Sequence, residues 1–350
     1  METKKTLAIQ VPFKKAEQVR KYLAEKDLLR TDLQIRRDKT AVCIPVKTIP
    51  DSLDMKGVNI IEKEFIHYEK QLKMYKEVLS LPKTLQDELP TSFDIVGDII
   101  LIKIPKTLKT YKNEIGAALL TTHRNIRVVC SIDAVQGPLR TRNLEIIAGE
   151  HRTTTTHREY GLTFDVDVQN TYFSPRLGSE RNHIASLVQP GEIVIDLFAG
   201  VAPFSIMIAR YAKPKMTYAL DKNKVAVNYA KENTRKNKVL DRVEILCADA
   251  RDAPRIFQEK QVKADRIIMN LPLSAHLFFS SALRIAAPAC TIHYYSILRE
   301  EKVEERIGYL REIASERNMV LSSVERRKIK SYAPREFYMG MDIQARKLPM

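Results

Sequence analysis

Several short apolar segments in the second half of the chain end on residues that can hold a polar ligand. The first is Glu192-Ile193-Val194-Ile195-Asp196-Leu197-Phe198-Ala199-Gly200-Val201-Ala202-Pro203-Phe204. It reads as a buried strand that breaks into a turn of small residues ahead of a helix. A ligand can approach the backbone closely at such a turn. A phosphate-binding turn would carry GxGxxG, whereas Gly200, Ala202 and Ser205 stand in those places, so a dinucleotide is disfavoured. Asp196 at the strand end can accept from a cationic amino group, which suits the methionine part of S-adenosylmethionine; its alternative is to cap the turn or the helix. The next strand ends Tyr218-Ala219-Leu220-Asp221, about 20 residues past the glycine turn, where a carboxylate can take both hydroxyls of a ribose. A third ends Cys247-Ala248-Asp249-Ala250, and Asp249 could receive an adenine amino group. Either carboxylate alone could equally be a cap or a surface charge. At three consecutive strand ends they point to an adenosyl site.

The elements that must position these residues alternate. After Asn170, apolar strands at 193–197, 217–220, 243–247, 266–269 and 291–295 alternate with helical segments. This predicts an α/β, doubly wound, mostly parallel sheet with its ligand at the carboxyl ends of the strands. Ahead of it, Ser174-Pro175 is a good helix start, with Ser as N-cap and Pro at the first helical position. Leu177, Glu180, Ile184 and Leu187 then fall on one apolar helix face. A carboxylate there is desolvated, which strengthens it as a base; its alternative is an ion pair with Arg176 or Arg181.

Upstream, residues 6–12 alternate like a strand, 16–29 carry a helical pattern and 41–46 read as another strand. Pro, Asp, Ser and Gly cluster at 49–57, a plausible linker. Residues 65–168 mix strands (99–104, 126–131, 144–148, 162–168) with helices near 75–81 and 111–120. The expected organisation is a small αβ domain over 1–56, an α+β domain over 57–170 and the doubly wound domain over 171–350. In the second of these, His151 to Arg158 reads as a polar, basic loop suited to phosphates, or as an ordinary solvated hairpin loop.

Lys and Arg number 58 against 43 Asp and Glu, a formal charge of +15, which favours a polyanionic partner such as nucleic acid. The four cysteines are scattered with no CxxC pair, so neither a zinc site nor a disulfide framework is indicated, and a reducing cytoplasm is the simplest compartment. No apolar run is long enough for a signal peptide or a membrane span.

The fourth strand, 265–269, runs into Asn270-Leu271-Pro272, which resembles the motif with which amino-methyltransferases grip a planar nitrogen beside the methyl donor. With Tyr172-Phe173-Ser174-Pro175-Arg176-Leu177-Gly178-Ser179-Glu180-Arg181, Asp196-Leu197-Phe198-Ala199-Gly200 and Ser331-Tyr332-Ala333-Pro334, the chain resembles the archaeal and eukaryotic tRNA (guanine-37-N1) methyltransferases over most of its length. Ala202 departs from that family, where Gly is usual. The resemblance implies a class I Rossmann-like methyltransferase domain, S-adenosylmethionine as cofactor, no metal, and a tRNA substrate whose guanine at position 37, in the anticodon loop, must be extruded into the pocket. It implies Glu180 as general base and Asn270 beside the reacting nitrogen. The segment Gly137-Pro138-Leu139-Arg140-Thr141-Arg142 resembles the one carrying an essential arginine, with the family's spacing favouring Arg140 over Arg142 as the group facing guanine O6; the alternative for either arginine is a phosphate contact. Cofactor contacts are implied at Asp196, Phe198, Gly200, Asp221, Asp249, Asn270 and Pro272. Substrate contacts are implied at Arg140, Arg142, Tyr172, Ser174, Arg176 and Pro272. The protein is expected to act as a monomer. Rival readings are an aminocarboxypropyl transferase acting on the tricyclic wyosine precursor, a bifunctional guanine and 4-demethylwyosine methyltransferase, and an idle RNA-binding scaffold.

Overall fold

The computed structural model describes residues 3–38, 40–50, 57–66, 74–133 and 143–348. The chain divides into two compact units, Met1–Leu79 and Ser80–Met350.

In the first unit, β1 (Thr3–Pro12) leads into α1 (Phe13–Glu25), followed by β2 (Arg36–Arg37), β3 (Ala41–Pro45) and β4 (Asn59–Ile66). The sheet is antiparallel in the order β2-β3-β1-β4. Val19 and Leu23, one helical turn apart, close a core with Ile9, Val11, Val42 and Ile44. The unit runs past the linker expected at 49–57 because β4 pairs with β1 from Thr3↔Ile66 to Gln10↔Asn59; residues 51–56 of that stretch lie outside the described residues. The helix expected at 75–81 is a single 3-10 turn, Tyr75–Glu77. Pro82 follows closely and turns the preceding residue away from helical backbone.

In the second unit, the short α2 (Lys83–Gln86) precedes β5 (Asp94–Val96), β6 (Ile99–Ile102), α3 (Lys112–Thr122), β7 (Val128–Ile132) and β8 (Leu144–Gly149). These strands form a mixed sheet, β5-β6-β7-β8, with only the β6–β7 pair parallel. The basic stretch at 151–158 is mostly not a loop. Thr154–Glu159 forms β9, a hairpin with β10 (Leu162–Asp167) closed by Tyr160 and Gly161 at positive φ. The threonine run hides a period of two: Thr155 is buried and donates to Asp98 Oδ1 at 2.7 Å, while Thr154 and Thr156 face outward.

The remainder alternates as expected: α4 (Gly178–Leu187), β11 (Ile193–Asp196), α5 (Pro203–Tyr211), β12 (Met216–Asp221), α6 (Lys224–Lys236), β13 (Val243–Cys247), α7 (Ala253–Glu259), β14 (Ala264–Met269), α8 (Phe279–Ile285), β15 (Ala286–Arg299), α9 (Val303–Ser315), β16 (Met319–Ala333) and β17 (Glu336–Lys347). The seven strands lie in the order β13-β12-β11-β14-β15-β17-β16, the first five parallel and β17 and β16 antiparallel. Strand order reverses between β11 and β14, which opens a crevice at their carboxyl ends. The strand expected at 291–295 is much longer, because β17 supports it over eleven registered positions from Ala289↔Arg346 to Arg299↔Glu336.

No break occurs at residue 170. The hairpin shares one apolar core with the sheet, Phe164 and Val166 packing with Ile184, Val201 and Phe204. Asn233 and Asn237 of α6 bond its backbone directly. Asp165 N–H donates to Asn233 Oδ1 at 2.7 Å and Thr163 N–H to Asn237 Oδ1 at 3.0 Å, and each amide donates back. Asn233 is fully buried and also donates to the Val201 carbonyl at 3.2 Å. Asn233→Ala should therefore lower the unfolding free energy of the full chain by about 2–3 kcal/mol, because buried backbone groups lose their partner. Urea denaturation followed by circular dichroism measures it, and a loss below about 0.5 kcal/mol would show that water replaces the amide.

Candidate active site

The crevice opens where β11, β12, β13 and β14 end. Its first wall is the turn after β11. Gly200 sits at φ +57° and donates its N–H to Asp221 Oδ2 at 2.7 Å. Ala202 follows at φ +62°, a left-handed conformation that costs an alanine about 1–2 kcal/mol, and Pro203 opens α5 behind it. Its Cβ is accommodated in the buried interior, so the small-residue turn survives the departure from glycine.

Asp221 bridges two turns, since its other oxygen accepts from Asn223 N–H at 2.8 Å. Asn223 caps α6, accepting from Val225 N–H at 3.0 Å. Asp249 accepts from Arg251 N–H at 3.0 Å and faces the Lys222 ammonium at 3.8 Å. Tyr172, Ser174, Phe198, Gly200, Asp221, Asp249 and Asn270 thus share the crevice wall, with the apolar floor supplied by residues not foreseen, among them Leu197, Leu271 and Phe278. Carboxylates set apart on a wall of small and aromatic residues suit a ligand with hydroxyl and amino donors on a flat ring.

Four foreseen residues fall outside the crevice wall: Asp196, Pro272, Arg176 and Glu180. Asp196 is fully buried beneath the turn, with Ser205 Oγ donating at 3.0 Å and Phe198 N–H at 3.3 Å, and it is not part of the crevice wall. It takes the capping role, because its oxygens face the turn at Phe198 and Ser205 of α5. Burial pushes its carboxyl up to about 7, against the opposing pull of those two bonds. Pro272 is buried away from the wall, and its carbonyl accepts from Ile297 N–H at 3.0 Å and Ser296 Oγ at 3.3 Å, which fixes the turn to β15. Arg176 is exposed and paired with Asp94, outside the crevice. Arg140 and Arg142 lie outside the described residues.

Glu180 is 7% exposed on the same face of α4 as Ile184, just beyond Leu177 in the preceding 3-10 turn. Its neighbours are not apolar alone. Tyr295 OH donates to Oε1 at 2.8 Å, and Arg327 of β16 forks onto the carboxylate, with Nε at 3.2 Å from Oε2 and Nη2 on Oε1. Neither Arg176 nor Arg181 is its partner. Arg181 is 1% exposed, forks onto Glu159 of β9 at 2.7 and 2.5 Å, donates to the Ser174 carbonyl and lies over the Phe173 ring. Burial would favour the neutral acid at Glu159, but His157 and Arg181 outweigh it and hold the carboxyl below its usual range. Ser174 makes no capping bond; its hydroxyl faces the Lys330 ammonium at 3.3 Å. On the opposite side Tyr338 OH donates to Asn270 Oδ1. Tyr295, Tyr338 and Arg327 escaped notice in the sequence, where the only pointer was the basic, alternating run 325–330 leading into Ser331-Tyr332-Ala333-Pro334. Among the described residues no cluster of His, Cys, Asp and Glu could hold a metal, and no helix is long and apolar enough to cross a membrane.

Strand order, crevice and acidic strand ends define a class I, Rossmann-like methyltransferase domain. Three family models match in succession: the tRNA methyltransferase 5 N-terminal domain over residues 8–54, the TYW2 N-terminal domain over 75–153 and the TRM5/TYW2 methyltransferase domain over 155–322. The tRNA (guanine(37)-N(1))-methyltransferase Trm5b of Pyrococcus abyssi is 39% identical over 97% of this chain and 99% of its own length. Its crystal structure aligns with a TM-score of 0.73 over 97% of this chain and 99% of that one. The structure of aTrm5 in complex with tRNALeu aligns with a TM-score of 0.68 at 31% identity, covering 97% of this chain and all of that one. The tRNA(Phe) (4-demethylwyosine(37)-C(7)) aminocarboxypropyltransferase of Pyrococcus horikoshii is 31% identical over 78% of this chain and 96% of its own. The chain belongs to the TRM5/TYW2 methyltransferase family.

Asp196 gives this scaffold a pH signature. Its carboxyl titrates at about 7 when folded, against about 3.9 in an unfolded chain. Below both values each state carries the proton and nothing is lost. As pH rises between them the unfolded state releases its proton first, so the fold loses stability, and the loss is complete above about 7. Asp196→Asn has no such proton, so its stability relative to wild type should rise by about 4 kcal/mol between pH ~4 and ~8, measured by urea unfolding at both ends. A constant difference would mean that Asp196 is ionised in the fold.

Proposed function

We propose that this chain transfers the methyl group of S-adenosylmethionine to N1 of guanine 37 in tRNA. The observation that carries the reading is the helix α4 segment, in which Arg181 reaches the crevice wall while Glu180, one residue before it, holds a buried carboxylate against Tyr295 and Arg327. The activity printed for the Pyrococcus abyssi relative, matched over nearly the whole of both chains, supports the same reaction. The aminocarboxypropyltransferase leaves about a fifth of this chain unmatched, and residues 8–54 match the tRNA methyltransferase 5 model, which favours methyl transfer over that rival.

The crevice fits the adenosyl cofactor: Asp221 for the ribose hydroxyls, Asp249 for the adenine amino group, Phe198 and Gly200 along its length, and Asn270 at the reacting end. When bound, S-adenosylmethionine supplies an electrophilic methyl carbon. Glu180 takes the N1 proton as the ring nitrogen attacks, and Asn270, oriented by Tyr338, holds the base in plane. Arg140 is the proposed partner of the developing charge on O6. Tyr172 and Ser174 lie at the crevice wall to receive the extruded base. The charge of +15 and the tRNALeu complex of the structural neighbour support tRNA as partner. The same proposal includes action as a monomer in the cytoplasm, for which four free cysteines, three of them buried, are suited.

Mass spectrometry of nucleosides from a tRNA transcript incubated with methyl-labelled cofactor tests the reading. The expected product is labelled 1-methylguanosine at position 37; label only in a tricyclic base, or an aminocarboxypropyl adduct, would overturn it. Glu180→Gln should leave cofactor and tRNA affinity intact while slowing single-turnover methylation about 10²- to 10⁴-fold. The defect should shrink as pH rises, because guanine N1 then loses its proton to solvent unaided. A wild-type rate in that variant would remove the base role from Glu180.

A further inference from the structure

Glu180 stands at the end of a chain of buried and half-buried polar side chains that crosses the large sheet from β16 to β14. Arg327 Nη1 donates to Asp342 Oδ2 at 2.6 Å, and the other oxygen of Asp342 lies 2.6 Å from His293 Nδ1. His293 Nε2 lies 2.8 Å from Arg266 Nη1, and Arg266 forks onto Glu192 at 2.8 and 3.0 Å and donates to the Leu187 carbonyl at 3.0 Å. Leu187 and Glu180 belong to one helix, so the chain grips α4 at both ends. His293 is fully buried, Arg266 is 6% exposed and Asp342 9%. Burying this many charges costs several kcal/mol per ion, and apolar residues would serve the sheet as well or better.

The proton positions along the chain are fixed by elimination. A guanidinium has no acceptor, so the ring nitrogen facing Arg266 must accept, and the other, Nδ1, carries the hydrogen and donates to Asp342. His293 is therefore neutral, and burial together with Arg266 and Arg327 pulls its titration down, against the opposing effect of Asp342. Burial would favour neutral Asp342, but the His293 and Arg327 bonds outweigh it and hold its carboxyl below its usual range. Arg327 thus stands between two carboxylates, Asp342 and Glu180. The backbone makes room for this: Gly340 lies beside Arg327 in the ladder, and a Cβ there would come within 3.3 Å of the guanidinium.

We propose that Asp342 is a positioning residue for Glu180, acting through Arg327. By taking a share of the guanidinium it holds Arg327 in place, so that the ion pair fixes the direction of the Glu180 carboxylate. The inference rests on the reading of Glu180 as base. The other groups around Glu180 do not substitute for Asp342. Tyr295 of β15 is a neutral donor, Arg181 is turned to Glu159, and Lys330 is directed at Ser174 and over the Tyr338 ring.

The test is single-turnover methylation by the full chain, at saturating cofactor and tRNA transcript, across pH ~5.5 to ~8.5, for wild type, Asp342→Asn, Glu180→Gln and the double variant. Asp342→Asn keeps the shape and frees Arg327 to neutralise Glu180 alone. It should lower the plateau rate about tenfold and move the acid limb of the profile toward lower pH, since a carboxylate facing an uncompensated cation is a weaker base. In the Glu180→Gln background it should change the rate less than about twofold, because the group it acts through is gone. An unaltered profile in Asp342→Asn, or the same loss in both backgrounds, would overturn the inference while leaving the base reading intact. A wild-type chemical step in Glu180→Gln would overturn both. If Asp342→Asn does not fold, as judged by its melting temperature and adenosylhomocysteine affinity, Asp342→Ser, a smaller neutral acceptor, carries the same comparison.

Discussion

The arrangement around the crevice depends on one buried cation. Within the apolar core they share, Arg181 ties together three pieces of chain: the β9–β10 hairpin through Glu159, the segment ahead of α4 through the Ser174 carbonyl and the Phe173 ring, and α4 itself, which carries it. An unpaired guanidinium at 1% exposure would be untenable, so the pairing dictates where the hairpin sits against the helix. Because Glu180 is the residue before Arg181, its carboxylate is aimed at β15 and β16 by the same constraint. The upstream α+β elements are in this way part of the active-site architecture and not an appendage to it.

Much of the parallel sheet was legible in the sequence. Buried parallel strands read as short apolar runs, and an acidic residue where each run stops marks the end at which ligands collect. What sequence does not state is the side of the turn to which a carboxylate points. Asp221 and Asp249 reach the crevice, while Asp196, in the same kind of position, bends back to Ser205 and caps the turn. Similarly, a helical repeat placed Glu180 on the buried face of α4, but its partner lies 147 residues away and no local pattern connects them.

The antiparallel strands were harder to see for a different reason. In β16 most side chains are exposed and the register against β17 shifts three times, so its sequence reads as a charged surface run although Arg327 points inward to two carboxylates. In β9 a run of threonines conceals a period of two that becomes visible only when Asp98 takes up Thr155. Polar residues facing inward defeat the apolar periodicity on which strand recognition relies. They also mark the neighbourhood where the chemistry sits, since a buried charge is tolerated only where something else demands it.

The two asparagines of α6 have an effect that reaches beyond the fold of a single chain. A two-stranded hairpin leaves its outer backbone groups free to recruit another strand, a standing invitation to aggregation. Asn233 and Asn237 present an amide donor and an acceptor to alternate residues of β10, at Thr163 and Asp165, with the spacing a neighbouring strand would use. A helix thereby satisfies a sheet edge with side-chain copies of the peptide group. That edge is closed to a second molecule without a further strand or a bulge.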